Sequence, residues 1–130
     1  VSPLKEQPWR IILTHDASSI PADSICLTDE FRDRTLVVEN VFNYLELLKK
    51  LYNNKKIGTI LLEAGGCLVR EFLKAGLVDE WVGFYAPIII GGGTDGVAPG
   101  PFLEHEAHLE QPVVNIFGDD VCIRGDICYR

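Results

Sequence analysis

The chain has 130 residues, suited to one domain with one moderate core, and its net charge of −7 excludes a nonspecific nucleic-acid binder, which needs clustered Lys and Arg. Its apolar fraction of 47% and charged fraction of 24% exclude a disordered segment. No apolar run escapes interruption by Glu or Gly for long enough to span a membrane, and no signal-peptide pattern opens the chain. The expectation is a cytoplasmic protein with no membrane or nucleic-acid partner. Val1 stands where an initiator methionine would, which fits a longer or processed parent chain. Cys26, Cys67, Cys122 and Cys128 lack C-x-x-C spacing, which argues against zinc and a thioredoxin-type motif and for reduced thiols.

Residues 2–7 are polar and read as an arm. Trp9–Leu13 is apolar and branched, a buried strand ending at Thr14. Thr14, His15 and Asp16 then lie at its C-terminal end, the edge where open α/β sheets bind ligands. As a lone histidine His15 is also simply a loop residue. Ala17–Asp23 is turn-rich, Ser24–Leu27 reads as a short strand, Thr28–Arg34 as a charged loop and Thr35–Glu39 as a strand. Asn40 is placed to cap a helix near Val41–Tyr52, with Tyr44, Leu45, Leu48 and Leu51 on its apolar face. Lys55 and Lys56 read as a solvated turn.

The centre of the chain is Ile57–Glu80. Thr59–Leu62 reads as a strand ending in the carboxylate Glu63. Gly65 and Gly66 make a turn, and a helix follows with Leu68, Val69, Phe72 and Leu73 on one face, closed by Gly76. Main-chain amides at a helix start are free and carry partial positive charge, and glycine lets a ligand come close to them. The turn is therefore either a tight β–α connection or an anion site. It is neither a P-loop, for want of Gly-Lys-Ser/Thr, nor a G-x-G-x-x-G fingerprint. Glu63 either contacts a ligand or satisfies donors of its own turn. Arg70 and Lys74 fit a solvated helix face, and Cys67 has no neighbouring base in sequence to activate it.

Trp81–Ala86 reads as a strand running on into Pro87–Ile90, and Gly91–Gly96 as a mobile loop or a lid. Val97–Glu110 reads as irregular. His105 and His108 lack the i, i+4 spacing of a zinc helix, so no metal site is expected. Val113–Phe117 and Val121–Tyr129 form a hairpin about Gly118-Asp119-Asp120. The element order predicts an α/β fold of three layers, with helices on both faces of a mixed, mostly parallel sheet and a C-terminal antiparallel hairpin.

The run LLEAGGCLVREFLKAGLVDEWVGFYAPIIIGGG resembles the C-terminal half of the riboflavin-biosynthesis pyrimidine reductase domain, a family with the dihydrofolate-reductase-like fold. Glu63, Gly65, the stretch Ala75–Glu80, Ala86-Pro87 and Gly91-Gly92 match its pattern. Phe117–Val121 resembles the family's final hairpin, and Trp9–Thr14 the strand that opens its second half. The resemblance implies one reductase-like domain over residues 1–130, incomplete at its N-terminus. The family's Lys and Ser-Leu-Asp-Gly segment has no counterpart here. It implies NADPH-dependent reduction of 5-amino-6-(5-phosphoribosylamino)uracil to the ribitylamino product. On that reading Ala64, Gly65, Gly66 and Cys67 bind the cofactor's phosphates, Glu63 faces substrate, and Thr14 with His15 lies near the adenosine end. Thr14-His15-Asp16 departs from the family's usual Asp-Ser at that place. No side chain is singled out as catalytic, because the cofactor supplies the hydride. Sheet edges left open by missing strands imply a homodimer. Two other functions stay open: a catalytically incomplete binding or assembly module, and a dihydrofolate-reductase-like enzyme with another substrate.

Overall fold

The computed structural model describes residues 7–89, 91–93, 96, 97, 100, 103 and 105–130. The chain divides into two compact units, Val1–Ile60 and Leu61–Arg130.

In the first unit, strands β1 (Arg10–Thr14) and β2 (Thr35–Glu39) pair in parallel, with Arg10 opposite Thr35 and Thr14 opposite Glu39. Both are rich in β-branched residues, as a pleated, half-buried surface favours. Their connection is held by side chains. Arg10 donates to both oxygens of Asp29, at 2.6 and 2.8 Å, and to the carbonyl of Cys26 at 3.1 Å. The Thr35 hydroxyl donates to the same carbonyl at 2.6 Å. This fork against a carboxylate is the strong form of ion pair. It raises the Arg10 pKa and lowers that of Asp29, chiefly through their mutual hydrogen bond.

Four sequence expectations change here. Ser24–Leu27 is not a strand: Ile25–Thr28 forms a short helix, α1, after Ser24, whose carbonyl accepts from the Leu27 amide and the Thr28 hydroxyl. A hydroxyl able to bond back to the main chain competes with strand pairing. The next helix, α2 (Tyr44–Lys55), is capped by Asn43, whose side chain accepts from the Glu46 amide at 3.0 Å. Asn40 instead takes a left-handed conformation, φ 51°, and donates its amide to the Thr14 carbonyl. Leu47 and Leu51 are buried while Leu45 is exposed, so the apolar stripe is Tyr44, Leu47, Leu48 and Leu51. Lys55 is the last helical residue rather than a solvated turn, and its ammonium lies 4.5 Å from the Trp9 ring centroid.

In the second unit, helix α3 (Gly66–Lys74) buries Phe72 and Leu73. Strands β3 (Glu80–Tyr85), β4 (Ala107–Phe117) and β5 (Asp120–Tyr129) form an antiparallel sheet of order β3-β5-β4. Gly118, at φ 63°, supplies the left-handed turn of the hairpin. Glu110 pairs with Asp126 and Val113 with Arg124, so two β4 residues oppose Gly125 in a bulge. A Cβ at Gly125 would lie 3.1 Å from the Glu110 carbonyl oxygen, which is why a glycine sits opposite the bulge. Residues 107–110, read as irregular, belong to β4.

Among the described strands one pair is parallel and two are antiparallel, so the mostly parallel sheet of the sequence reading is replaced by a parallel pair and an antiparallel triplet. Thr59–Leu62 lies in no ladder, and Leu61 is 80% exposed: an apolar run is a strand only when a neighbour takes its amides and carbonyls. Ile90, Thr94, Asp95 and parts of the 97–110 stretch fall outside the described residues. No helix among the described residues is long and apolar enough to cross a membrane.

Candidate functional site

The second unit builds its candidate site at the start of α3. Gly65 is the N-cap, in extended conformation, and its carbonyl accepts from the amides of Leu68 and Val69. The helix geometry leaves the amides of Gly66 and Cys67 without an intrahelical acceptor. No side chain caps the helix and no acid stands in its first turn. The basic Lys74 lies in its last turn, the arrangement that complements the helix dipole. Nothing lies within 4 Å of where a Gly65 Cβ would be. Packing therefore does not require glycine here, and the Cβ side of Gly65 is open. Ala64, Gly65 and Cys67 are exposed and Gly66 is buried.

Glu63 is exposed, and among the described residues no hydrogen bond or ion pair engages it. It does not cap α3, so the reading in which it satisfies donors of its own turn is set aside. Arg70 is half-buried and lies close to Gly100, where a Cβ would fall 2.8 Å from its guanidinium carbon. It is thus in contact with a later segment, not merely solvated.

Thr14 belongs to the first unit. It ends β1 opposite Glu39, at the C-terminal edge of the parallel pair. Its hydroxyl accepts from the Asp16 amide at 3.1 Å. Asp16 in turn accepts from the amide and hydroxyl of Ser18, at 2.8 and 2.6 Å, which hold its carboxyl below the usual range, the hydroxyl bond first. Glu39 accepts from the Ala17 amide at 2.6 Å. This tie between strand ends went unnoticed in the sequence, where Glu39 was only the last letter of an apolar run. His15 is exposed. Among the described residues, no group of three or more His, Cys, Asp and Glu side chains could hold a metal.

Similarity to known proteins adds the lineage. The RibD C-terminal domain matches residues 2–123. The chain belongs to the RibD C-terminal domain family. Riboflavin biosynthesis protein RibD of Escherichia coli is 34% identical over 95 residues, covering 69% of this chain and 26% of its own length. RibD of Mycobacterium tuberculosis (strain H37Rv) is 30% identical over 92 residues, covering 71% and 25%. The chain thus spans about a quarter of the length of these curated relatives. The fold is shared with Acinetobacter baumannii RibD: its form 2 structure superposes with a TM-score of 0.74 at 23% identity, over 93% of this chain and 38% of that one. Form 1 gives 0.73 at the same identity and coverage. This chain thus has an α/β fold with parallel and antiparallel strands and few helices, similar to part of that RibD structure.

Proposed function

We propose that this chain is the C-terminal part of an NADPH-dependent reductase domain of riboflavin biosynthesis, acting on 5-amino-6-(5-phosphoribosylamino)uracil. The observation that carries the reading is the start of α3: uncapped amides, no acid in the first turn, and open space at Gly65, in a chain of the RibD C-terminal domain family. The cofactor, when bound, supplies the hydride that opens the ribose ring to the ribityl chain. The amides of Gly65, Gly66 and Cys67 hold its diphosphate, with Ala64 leading into the turn, because free helix-start amides favour negative charge. Glu63 is left unengaged to accept hydrogen bonds from the substrate. Thr14, at the C-terminal end of β1, serves the adenosine end. In the parent protein the domain completes a three-layer, dihydrofolate-reductase-like fold and forms a cytoplasmic homodimer; the acidic charge and free thiols agree with that setting.

The test is thermal. NADPH raises the melting temperature, and far more than NADH does, since a ligand of the native state stabilises it by about 2.7 kcal/mol at a hundredfold excess over Kd. Gly65→Val abolishes that shift, read against the variant's own unliganded melting temperature, which falls modestly because valine is a poor N-cap although its Cβ enters open space. A shift that survives Gly65→Val would reject the diphosphate role. No shift with either nucleotide in the parent protein would leave the catalytically incomplete module as the better reading.

A further inference from the structure

The far end of α3 is anchored in an unusual way. Gly76 leaves the helix at φ 63°, with its amide on the Leu73 carbonyl and the Leu77 amide on the Phe72 carbonyl. That double bond is the Schellman closure. The next residue, Val78, has both main-chain groups taken by one side-chain atom. Its amide donates to the Tyr129 hydroxyl at 3.1 Å, and that hydroxyl donates to its carbonyl at 3.1 Å. The Asp79 carbonyl then accepts from the Ile127 amide at 2.8 Å. Two consecutive residues of the α3–β3 connection are thus fastened to the end of β5, where reciprocal main-chain bonds between Glu106 and Arg130 extend its pairing with β4.

We propose that Tyr129 is a positioning residue for the cofactor: it sets the direction in which α3 presents the Gly66 and Cys67 amides. The inference rests on the diphosphate reading of that helix start. A nine-residue helix is a short, stiff rod of about 13 Å. Fixing its exit therefore limits how far its start can swing. The tie is specific to one oxygen atom, because no other side chain among the described residues bonds to the main chain of Val78. Tyrosine suits the task because the same hydroxyl both accepts and donates, leaving neither group of a half-buried peptide unpaired. Hydride transfer is untouched, since Tyr129 contacts no reacting atom in this scheme.

Tyr129→Phe keeps the ring and removes only the latch. In the full-length protein that carries this chain, KM and Kd for NADPH rise about fivefold, the size of one net hydrogen bond, while kcat at saturating NADPH and KM for the pyrimidine stay put. Hydrogen exchange at the Val78 amide accelerates, which verifies that the latch has opened. Gly125→Ala serves as the control, loosening β5 opposite its bulge without touching the connection. The proposal is overturned if Tyr129→Phe leaves Kd for NADPH unchanged, or if both variants weaken it in proportion to their losses of stability. In either case wild-type NADPH binding keeps the diphosphate reading alive. If the wild-type protein does not bind NADPH, both fall together.

Discussion

The two units hold their strands by different means. In Val1–Ile60 the strands are parallel, and a long connection must return the chain to the starting end. Side chains secure that connection: Arg10 on Asp29 and Cys26, Thr35 on Cys26, Asp16 on Ser18, Glu39 on Ala17. In Leu61–Arg130 the strands are antiparallel, and the main-chain ladder with a glycine turn sets the register. Charged side chains of that sheet, such as Arg124 and Glu80, pair at the surface, where ion pairs contribute little. The lesson is that the parallel pair adds side-chain ties along its long connection to its ladder, whereas the antiparallel strands are joined by a short glycine turn and their ladder.

The two tryptophans make the contrast measurable, since Trp9 lies in the first unit and Trp81 in the second. The largest effects come from core truncation. Phe72→Ala is expected to cost about 3–5 kcal/mol and Leu51→Ala about 2–5 kcal/mol, both side chains being buried. Urea unfolding followed in single-tryptophan variants should show Phe72→Ala moving the Trp81 transition more, and Leu51→Ala the Trp9 transition more. Equal shifts at both probes would break the comparison and reveal one cooperative unit. Next comes Asn43→Ala, which removes the α2 cap and should cost about 1 kcal/mol at the Trp9 probe. Serine at the same position should restore most of that loss.

Acid gives the smallest effect and sharpens the contrast most directly. Asp29 and Asp16 titrate below the usual carboxylate range in the folded first unit, Asp29 mainly through its bond from Arg10 and Asp16 mainly through its bond from Ser18. Groups with lowered folded values contribute stability that is complete above the unfolded carboxyl range and disappears as pH falls through the folded values. The Trp9 transition should therefore weaken below about pH 4, and Asp29→Asn should flatten that dependence. An acid loss identical in the two variants would remove the ion pair from the account.

Legibility in the sequence follows the same division. Thr35–Glu39 was read residue for residue, and the terminal hairpin was found because alternation and a glycine turn are local signals. The start of α3 was found at Gly65-Gly66 for the same reason. What escaped was non-local. Thr59–Leu62 has the composition of a strand, yet composition does not supply a neighbour. Ser24–Leu27 looked extended, but the hydroxyls around it favoured a helical turn. Leu47 was missed as the core of α2 because Leu45, on the opposite flank of the same stripe, completed an equally good apolar face with Tyr44, Leu48 and Leu51. Tyr129 was read only as the end of the last strand; nothing near it in sequence announces a hydroxyl aimed at Val78.

The bulge in β4 reaches beyond folding. This strand is the outer member of its sheet, and Val113, Val114, Ile116 and Phe117 on it are exposed. Such a ribbon is the usual seed for fibres, since each new molecule adds by copying an evenly spaced row of amides. Here Gln111 bends out at φ 44° and Pro112 brings no amide at all. The row is broken midway, and stacking molecules would lose their template at that point. Straightening it by deleting Gln111 and replacing Pro112 would restore the template and favour edge-to-edge stacking.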